Sequence, residues 1–390
     1  MKIGIFANFL LFEPAGIGKY SQNLLKNLFK IDHKNQYFLY FSFFRHRQVR
    51  LKLIQKRLGK LPKNVKIRIF SVPAAWLETL FASSFDVENI IKDPLDIYFS
   101  PYVSGIPKKG FKKMVTTCHD LVFLRFPEHR GKKLSNYYLK RHKTAVRNCQ
   151  KIIAVSESTK KDLQKFLAVN PSKIKVIYEA ADARFRPIKD QKKIRKIIGR
   201  YLPHSFNPDF RYILSVGTLE PRKNLSKLVE AYSMLPHQIL RKYKLVLVGA
   251  KGWNESELQK TINNLNLKDR VLLPGFVKDE DLPYIYNGAS IFAYPSLYEG
   301  FGLPPLEALA CGIPVVASNL SSLPEVMGRA ALLVDPTKEE EIVKALKQLI
   351  FEPKLAKKLA SRGPEQAKKF SWIKTAKETL KLFEEVYQQK

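Results

Sequence analysis

The sequence predicts an α/β protein with two doubly wound domains in tandem, each a parallel sheet covered by helices on both faces. Its 390 residues suit two domains of ordinary size. Short apolar runs alternate with longer helical patterns, and most of these runs are continuously apolar, as parallel strands buried on both faces are. This alternation along the whole chain is typical of strands joined by crossover helices.

Thirteen apolar runs are predicted as strands. In the first half they are residues 3–7, 37–41, 66–70, 97–100, 113–117, 152–155 and 174–177. In the second half they are residues 212–216, 244–248, 271–273, 291–293, 315–317 and 331–334. Helices are predicted between them, for example at 224–234, 256–265 and 339–350.

A domain boundary is predicted near residues 185–210, where Pro187 precedes the basic stretch 189–200 and Pro203 and Pro208 follow it. The predicted organisation is a first domain at 1–186, a linker at 187–210, a second domain at 211–369 and a last amphipathic helix at 370–390.

Composition excludes several classes of protein. Hydrophobic residues make up 45% and charged residues 26%, which excludes overall disorder. Cys118, Cys149 and Cys311 form no CxxC pair, which argues against a disulfide framework or a zinc ribbon. No apolar run reaches the ~18–20 residues of a transmembrane helix. The apolar start MKIGIFANFLLF lacks a small-residue cleavage site, so we predict a buried strand rather than a signal peptide, and a cytoplasmic protein.

The positive charge is concentrated in the first half. The chain carries a net charge of +33, from 68 basic and 35 acidic residues. Residues 1–200 hold 42 basic and 14 acidic residues (+28), and residues 201–390 hold 26 and 21 (+5). The asymmetry predicts an anionic partner for the first domain, such as nucleic acid, a membrane surface or an anionic substrate. A generally lysine-rich proteome is the other explanation.

Ligands of open parallel sheets bind at the carboxyl ends of the strands, so residues directly after strands are the candidates for a site. Gly16 opens a helix after the first strand, where glycine leaves backbone N–H groups accessible to an anion; an ordinary structural turn explains it equally well. His119 follows the strand at 113–117, and the adjacent Asp120 could orient its ring, although neighbouring strand residues point to opposite faces. A buried structural histidine is the alternative.

Arg222 and Lys223 stand together at a predicted helix start after the strand at 212–216. The helix dipole disfavours cations there. A bound diphosphate would compensate through charge-assisted contacts. A solvent-exposed pair of charges is the alternative.

Two glutamates flank a predicted helix start in the segment after the strand at 291–293. Glu299 ends a loop, and Glu307 lies in an otherwise apolar helix whose first turn contains Pro304. A carboxylate is costly to bury there unless it is paired or bound to hydroxyls. This arrangement suits a polyol beside the carboxylates and a phosphate at the helix amides.

The segment EGFGLPPLEALACGIPVVAS, residues 299–318, contains Glu-x7-Glu and strongly resembles the retaining glycosyltransferases of family 4, which have the GT-B fold. The segments GTLEPRKNL (217–225), LLPGFV (272–277), CHDL (118–121), VSES (155–158) and FSW (370–372) also fit this family. The resemblance covers essentially the whole chain and is strongest over residues 211–336.

The resemblance implies two Rossmann-like domains facing across a cleft, with the last helix crossing back to the N-terminal domain. The first domain would bind the acceptor and the second a nucleotide-sugar donor. Catalytic roles are implied for His119, near the anomeric centre, and Glu299, beside the transferred sugar. The implied ligands of the diphosphate are Gly16, Arg222, Lys223, Gly302 and Leu303. The implied ligands of the ribose and base are Glu307, Gly275, Phe276 and Val277.

The implied reaction is retaining transfer of a hexose with a nucleoside diphosphate as leaving group and without a metal. GDP-mannose is the favoured donor, because the second half most resembles mannosyltransferases, and UDP-glucose is the alternative. Many members carry Arg where this chain has Thr218, so Arg222 could supply that charge. Residues 279–281 (DED) mimic a metal-binding motif but are predicted to start a helix.

Two basic segments of the first half suggest a membrane surface. Residues 45–63 carry eight Lys or Arg and no acid, with Leu51, Ile54, Leu58 and Leu61 on one predicted helix face. A second cluster within 132–147 consists of Lys132, Lys133, Lys140, Arg141, Lys143 and Arg147, with Tyr137 and Tyr138. We hypothesise a lipid-phosphate-linked glycan acceptor, used in surface polysaccharide synthesis at the inner face of the cell membrane. The alternative is that the helix only packs its apolar face on the sheet.

Two other functions remain open at this point. A non-hydrolysing UDP-sugar epimerase would have the same fold, but the intact Glu-x7-Glu segment and His119-Asp120 argue against it. A non-enzymatic nucleic-acid-binding protein would fit the charge, but the chain carries no motif of that class.

Overall fold

The computed structural model describes residues 1–11, 16–127, 131–202, 211–250, 252 and 255–389. Pro14 and Ala15, just before the predicted anion-binding turn, and residues 203–210 of the predicted linker lie outside the described residues. The chain divides into two compact units, Met1–Glu179 with Ser371–Lys390, and Ala180–Phe370.

The first unit contains a parallel sheet of seven strands among its described residues, in the order β3-β2-β1-β4-β5-β6-β7. The strands are β1 (Lys2–Phe6), β2 (Gln36–Ser42), β3 (Val65–Phe70), β4 (Ile97–Ser100), β5 (Met114–Cys118), β6 (Lys151–Ala154) and β7 (Ile174–Val176). The helices are α1 (Gly16–Ile31), α2 (Arg47–Leu58), α3 (Ala74–Ala82), α4 (Val122–Arg125), α5 (Lys132–Asn148) and α6 (Glu157–Leu167). Strands β4 and β5 are buried along their whole length, as the continuous apolar runs predicted.

The second unit repeats this plan with six strands among its described residues, in the order β10-β9-β8-β11-β12-β13. They are β8 (Arg211–Val216), β9 (Tyr243–Val248), β10 (Val271–Gly275), β11 (Ile291–Tyr294), β12 (Val315–Ser318) and β13 (Ala331–Val334). The helices are α7 (Gln191–Ile198), α8 (Leu225–Ser233), α9 (His237–Lys242), α10 (Glu255–Asn264), α11 (Leu282–Gly288), α12 (Leu303–Ala310), α13 (Leu323–Met327), α14 (Glu339–Phe351) and α15 (Pro353–Ala367). The predicted doubly wound α/β class is confirmed in both units.

The last helix, α16 (Trp372–Gln388), belongs to the first unit, which confirms its predicted return. It packs on α1, where the Trp372 and Tyr20 rings lie 5.8 Å apart. The Phe383 ring packs on Phe99 of β4, with 5.2 Å between centroids. Burial of this apolar face holds the helix in place.

Residues 180–186, predicted to end the first domain, lie instead in the second unit. The Phe185 ring packs edge-on against Tyr286 at 5.5 Å, and Arg184 forms an ion pair of 3.4 Å with Asp279. Asp281 directly precedes α11, so residues 279–281 lead into a helix as predicted.

The basic helix α2 is shorter than predicted. It ends at Leu58, because Gly59 has a φ of 76° and terminates it, so Leu61 lies outside. Ile54 and Leu58 are buried in the unit, and Leu51 only partly. No described helix is both long and apolar enough to cross a membrane.

One member of the second basic cluster is not a surface residue. Arg141 is 3% exposed, and its Nη2 donates to the backbone carbonyls of Ser104 and Ile106. Its guanidinium group therefore binds backbone inside the first unit, and Arg141 does not belong to the exposed basic cluster.

Candidate active site

The strongest candidate site lies at the carboxyl ends of β8 and β11, neighbouring parallel strands of the second unit. The chain after β8 leads to Arg222 and Lys223, and the chain after β11 leads to Glu299. Because the two strands end at the same edge of the sheet, residues distant in sequence meet there.

Glu299 is the centre of this cluster and is 6% exposed. Its Oε1 accepts from Lys223 Nζ at 2.6 Å, from Ser296 Oγ at 2.7 Å and from Tyr294 OH at 3.0 Å. Its Oε2 accepts from Arg222 Nη1 at 2.8 Å. Arg222 and Lys223, the two cations that the sequence pointed to, thus both bind the carboxylate of Glu299.

Electrostatics keep Glu299 ionised. Burial by itself would raise the pKa of this carboxyl group, but the charges of Arg222 and Lys223 outweigh it and lower the pKa to about 2. Arg222 Nε also lies 2.6 Å from Glu220 Oε1. Lys223 is 7% exposed, so the interpretation as a solvent-exposed pair of charges is wrong.

A glycine that sequence reasoning missed lets the chain after β8 pass close to β9. A Cβ at Gly249 would lie 1.9 Å from the carbonyl oxygen of Gly217, which no side chain permits. Gly217 itself has a φ of 155° and contacts the Lys223 side chain. The position of Gly249 directly after a strand was the available signal.

Glu307 lies on α12, where it is 5% exposed, and its Oε2 accepts from the phenol of Tyr286 at 2.9 Å. Tyr286 was not predicted as a site residue. Gly302 stands at the N-cap of α12 with a φ of 102°, and Leu303 is the first helical residue. The helix thus begins between the two carboxylates, as the glycines and Pro304 predicted.

The residues predicted to line the base are the last residue of β10, Gly275, and the two that follow it. Gly275 has a φ of 76°, and its carbonyl oxygen accepts from the amide of Gly249 at 3.0 Å. Phe276 is 55% exposed, whereas Val277 is 4% exposed and packs into the unit. Of these residues, Phe276 is therefore the one with an exposed side chain.

In the first unit, Gly16 opens a helix after β1 and His119 directly follows β5, as predicted. Gly16 is the first residue of α1, and a Cβ built there meets no atom within 4 Å. His119 follows β5, and its Nδ1 lies 3.1 Å from Glu179 Oε1 and its Nε2 2.9 Å from the carbonyl oxygen of Pro101. Asp120 does not orient the ring as expected: its Oδ1 accepts from the amide of Val122 at the start of α4.

Comparison with known proteins decides the family. Residues 203–366 match the family model "Glycosyl transferases group 1", and residues 15–185 match "Glycosyltransferase Family 4". The chain is 33% identical over 272 residues to the O-antigen chain mannosyltransferase B of Escherichia coli, covering 70% of each protein. This chain belongs to glycosyltransferase family 4.

Other relatives of the glycosyltransferase agree. It is 30% identical over 293 residues to the serotype-specific mannosyltransferase WbdA of Escherichia coli, covering 74% of this chain and 35% of WbdA. The chain therefore spans about a third of that relative. Among solved structures, sucrose-phosphate synthase of Thermosynechococcus elongatus has a TM-score of 0.77 at 19% identity, covering 99% of each chain. Anabaena Alr3699/HepE in complex with UDP-glucose has a TM-score of 0.74 at 19% identity, covering 99% of this chain and 100% of HepE.

The fold of these structures confirms the GT-B expectation for the glycosyltransferase. The two curated relatives are mannosyltransferases, whereas the sequence had also left an epimerase and a nucleic-acid-binding protein open. Within the described residues, no group of three His, Cys, Asp or Glu side chains lies together as metal ligands would.

Proposed function

We propose that this enzyme is a retaining hexosyltransferase that moves mannose from GDP-mannose to a glycan or lipid-linked acceptor in cell-surface polysaccharide synthesis. The buried cluster of Glu299, Arg222 and Lys223 is the observation that carries the transfer chemistry. The O-antigen mannosyltransferases among the relatives support the sugar and the process. UDP-glucose is the second candidate donor, since the structurally similar HepE is known in complex with it.

The donor occupies the carboxyl edge of the second sheet in this proposal. Arg222 and Lys223, with the amides of Gly302 and Leu303 and that of Gly16, hold the diphosphate. Glu307 binds the ribose hydroxyls, and its bond to Tyr286 fixes the carboxylate for this task. The base lies along residues 275–277, with Phe276 as its stacking surface.

Glu299 supports the departure of the diphosphate by orienting both cations before the donor arrives. Because it is ionised and bonded to both, neither side chain must reorganise as negative charge develops on the leaving group. Glu299 also lies beside the transferred sugar in this proposal, and His119 near the anomeric carbon.

Transfer proceeds with retention, so the acceptor hydroxyl attacks from the face that the diphosphate leaves. The bond between C1 and the acceptor oxygen forms, the bond between C1 and the phosphate oxygen breaks, and the acceptor proton passes to the departing diphosphate. We propose that no metal is needed, since the two cations and the amides supply the positive charge.

A ligand titration tests donor and site together. Thermal unfolding is followed with GDP, UDP, ADP and their sugar conjugates in EDTA, on wild type, Glu307→Ala and the control Glu365→Ala on the exposed face of α15. We expect selective stabilisation by GDP and GDP-mannose, which is lost in Glu307→Ala and kept in the control. Stabilisation by UDP-glucose alone refutes the mannosyl donor, and equal stabilisation of wild type and Glu307→Ala refutes the ribose site.

We also propose that the first unit contacts an anionic membrane through its basic segments, residues 45–63 and 132–147. Phe44 is 52% exposed and Trp76 73%, and they follow the neighbouring strands β2 and β3. The ends of these strands are bonded, since Ser42, the last residue of β2, donates its Oγ to the carbonyl oxygen of Val72 at 2.7 Å. Arg45 lies over the Phe44 ring at 5.1 Å, so an exposed ring and a cation of 45–63 stand together. Such a pair suits the headgroup region of a lipid-linked acceptor's membrane.

Flotation with vesicles tests this contact. We expect binding to phosphatidylglycerol vesicles and not to phosphatidylcholine vesicles. Trp76→Ser should weaken it, whereas Phe351→Ser, which removes a 55% exposed ring from the second unit, should not. Equal binding to both vesicles would refute an electrostatic contact, and equal effects of both variants would refute the surface.

A further inference from the structure

The His119 ring is fixed by contacts that the family motifs did not indicate. The edge of the Tyr20 ring meets it, with 4.7 Å between centroids. Its two nitrogens bond to Glu179 at 3.1 Å and to the Pro101 carbonyl at 2.9 Å. The Pro101 carbonyl only accepts, so Nε2 donates to it and carries a proton. Glu179 is therefore the residue that holds Nδ1 of the ring in place.

Glu179 is itself held rigidly. It is 4% exposed and follows β7 as the last residue of the first unit before the chain enters the second. The preceding carbonyl, that of Tyr178, accepts from Thr375 Oγ1 of α16 at 2.7 Å. Tyr20, which packs on His119, also packs on Trp372 of the same helix. The chain leaves the first unit after Glu179, which bonds to His119, and re-enters it just before Trp372, which packs on Tyr20.

We propose that Glu179 is the positioning residue of His119, fixing the orientation of its ring for the transferred sugar. The inference rests on the proposed function, because it takes His119 to lie beside that sugar. A hydrogen bond between a carboxylate and one ring nitrogen, together with a bond at the other nitrogen, fixes the rotation of an imidazole ring. Since the second nitrogen is taken by a backbone carbonyl, loss of Glu179 frees the ring to turn about its one remaining bond.

The test compares Glu179→Ala and Glu179→Gln with His119→Ala and with the double variant Glu179→Ala/His119→Ala, all in the full chain. We expect kcat to fall about tenfold to a hundredfold in Glu179→Ala, as for loss of one hydrogen bond to a charged group, with donor KM within about threefold. Gln has nearly the same shape and can bond Nδ1 through either its oxygen or its amide, so it should stay within about threefold of wild type. Glu179→Ala should have no further effect once His119 is Ala, because it acts through that ring.

Asp93 is the matched control, an acid of the same unit that pairs with Arg68 at 2.8 Å. Asp93→Ala should leave kcat within about twofold of wild type. Wild-type kcat in Glu179→Ala, or an equal loss with and without His119, would overturn the proposal. The second of these results would mean that Glu179 only stabilises the segment in which the chain leaves the first unit.

A spectroscopic measurement separates this inference from the proposed function. In protein labelled with ¹⁵N-histidine, the His119 signals are those missing in His119→Ala. Glu179→Ala should move the Nδ1 signal of His119, whereas Asp93→Ala should not, and an unmoved signal would refute the contact. A wild-type chain that transfers no sugar would refute the proposed function, while this signal would still decide the contact.

Discussion

Replacing Glu299 by Gln removes the negative charge from a buried cluster that contains two cations, and should lower the free energy of unfolding of the second unit by about 3 kcal/mol. The variant keeps the shape of the side chain and an acceptor oxygen, so the loss is chiefly electrostatic. Arg222 and Lys223 would then remain buried without the charge that balances them.

Two routes give the same magnitude. The pKa of Glu299 falls from its ordinary 4.5 to about 2 in the folded chain, and at 1.36 kcal/mol per pKa unit this corresponds to about 3 kcal/mol. Removing one partner of a buried ion pair costs about 3–5 kcal/mol. Because the folded-state pKa is the lower one, this stabilisation is complete above the ordinary pKa and is lost as the pH falls towards 2. The difference between wild type and variant should therefore shrink by roughly 1 kcal/mol between pH 7 and pH 4, where most of it remains.

Urea unfolding is the appropriate assay, because urea, unlike guanidinium, does not screen charges. Hydrogen exchange of peptides from β11 and β12 reports on the second unit by itself. Glu365→Gln is the control, because it removes a carboxylate from the exposed face of α15 in the same unit. We expect it to change the free energy of unfolding by less than about 0.5 kcal/mol.

Either of two results would refute the electrostatic reasoning. One is a cost for Glu299→Gln no larger than that for Glu365→Gln at pH 7. The other is a cost that stays constant between pH 7 and pH 4, since the charge that it measures is partly neutralised over that range in the unfolded chain.

Three further substitutions test other parts of the site. Tyr286→Phe removes the hydroxyl that donates to Glu307 and should raise donor KM about threefold to tenfold with little change in kcat, as measured by initial rates; an unchanged KM would separate Tyr286 from donor binding. Gly302→Ala places a Cβ 2.6 Å from Leu323 at a φ of 102° and should destabilise the second unit by about 1–3 kcal/mol in urea, so a variant of wild-type stability would contradict the strain. Phe276→Ala removes an exposed ring and should weaken nucleotide binding about tenfold in calorimetry, the usual effect of a stacking residue; equal affinities would exclude stacking.

The fold was predictable because helices cover both faces of each sheet, so that the buried strands appear in the sequence as continuous apolar runs. Residues 97–100 are an example, since all four positions of β4 are buried. The end of α2 was less predictable, because the spacing of Leu51, Ile54, Leu58 and Leu61 fits a longer helix. Gly59 overrides that spacing by adopting a positive φ.

The part of the site that follows from its position at the carboxyl ends of parallel strands was predictable. Arg222, Lys223 and Glu299 meet because β8 and β11 are neighbours, and a diphosphate is one reason for two cations there. Their bonds to one carboxylate depend on side-chain geometry that no motif encodes. The partner of His119 was missed for the same reason: Asp120, adjacent in sequence, accepts from the amide of Val122, whereas Glu179 reaches the ring from the segment after β7.

The place of α16 has a consequence for synthesis of the chain on the ribosome. Its Leu382, Phe383 and Val386 are buried in the first unit, yet they are translated after the whole second unit. At ~5–20 residues per second, the intervening ~190 residues take roughly 10–40 s. During that interval the apolar side of α1 and the Phe99 ring stay uncovered, and at its end the second unit has all its residues before the first unit does. The part of the protein made first is therefore completed last, and nascent chains wait in a state that chaperones can recognise.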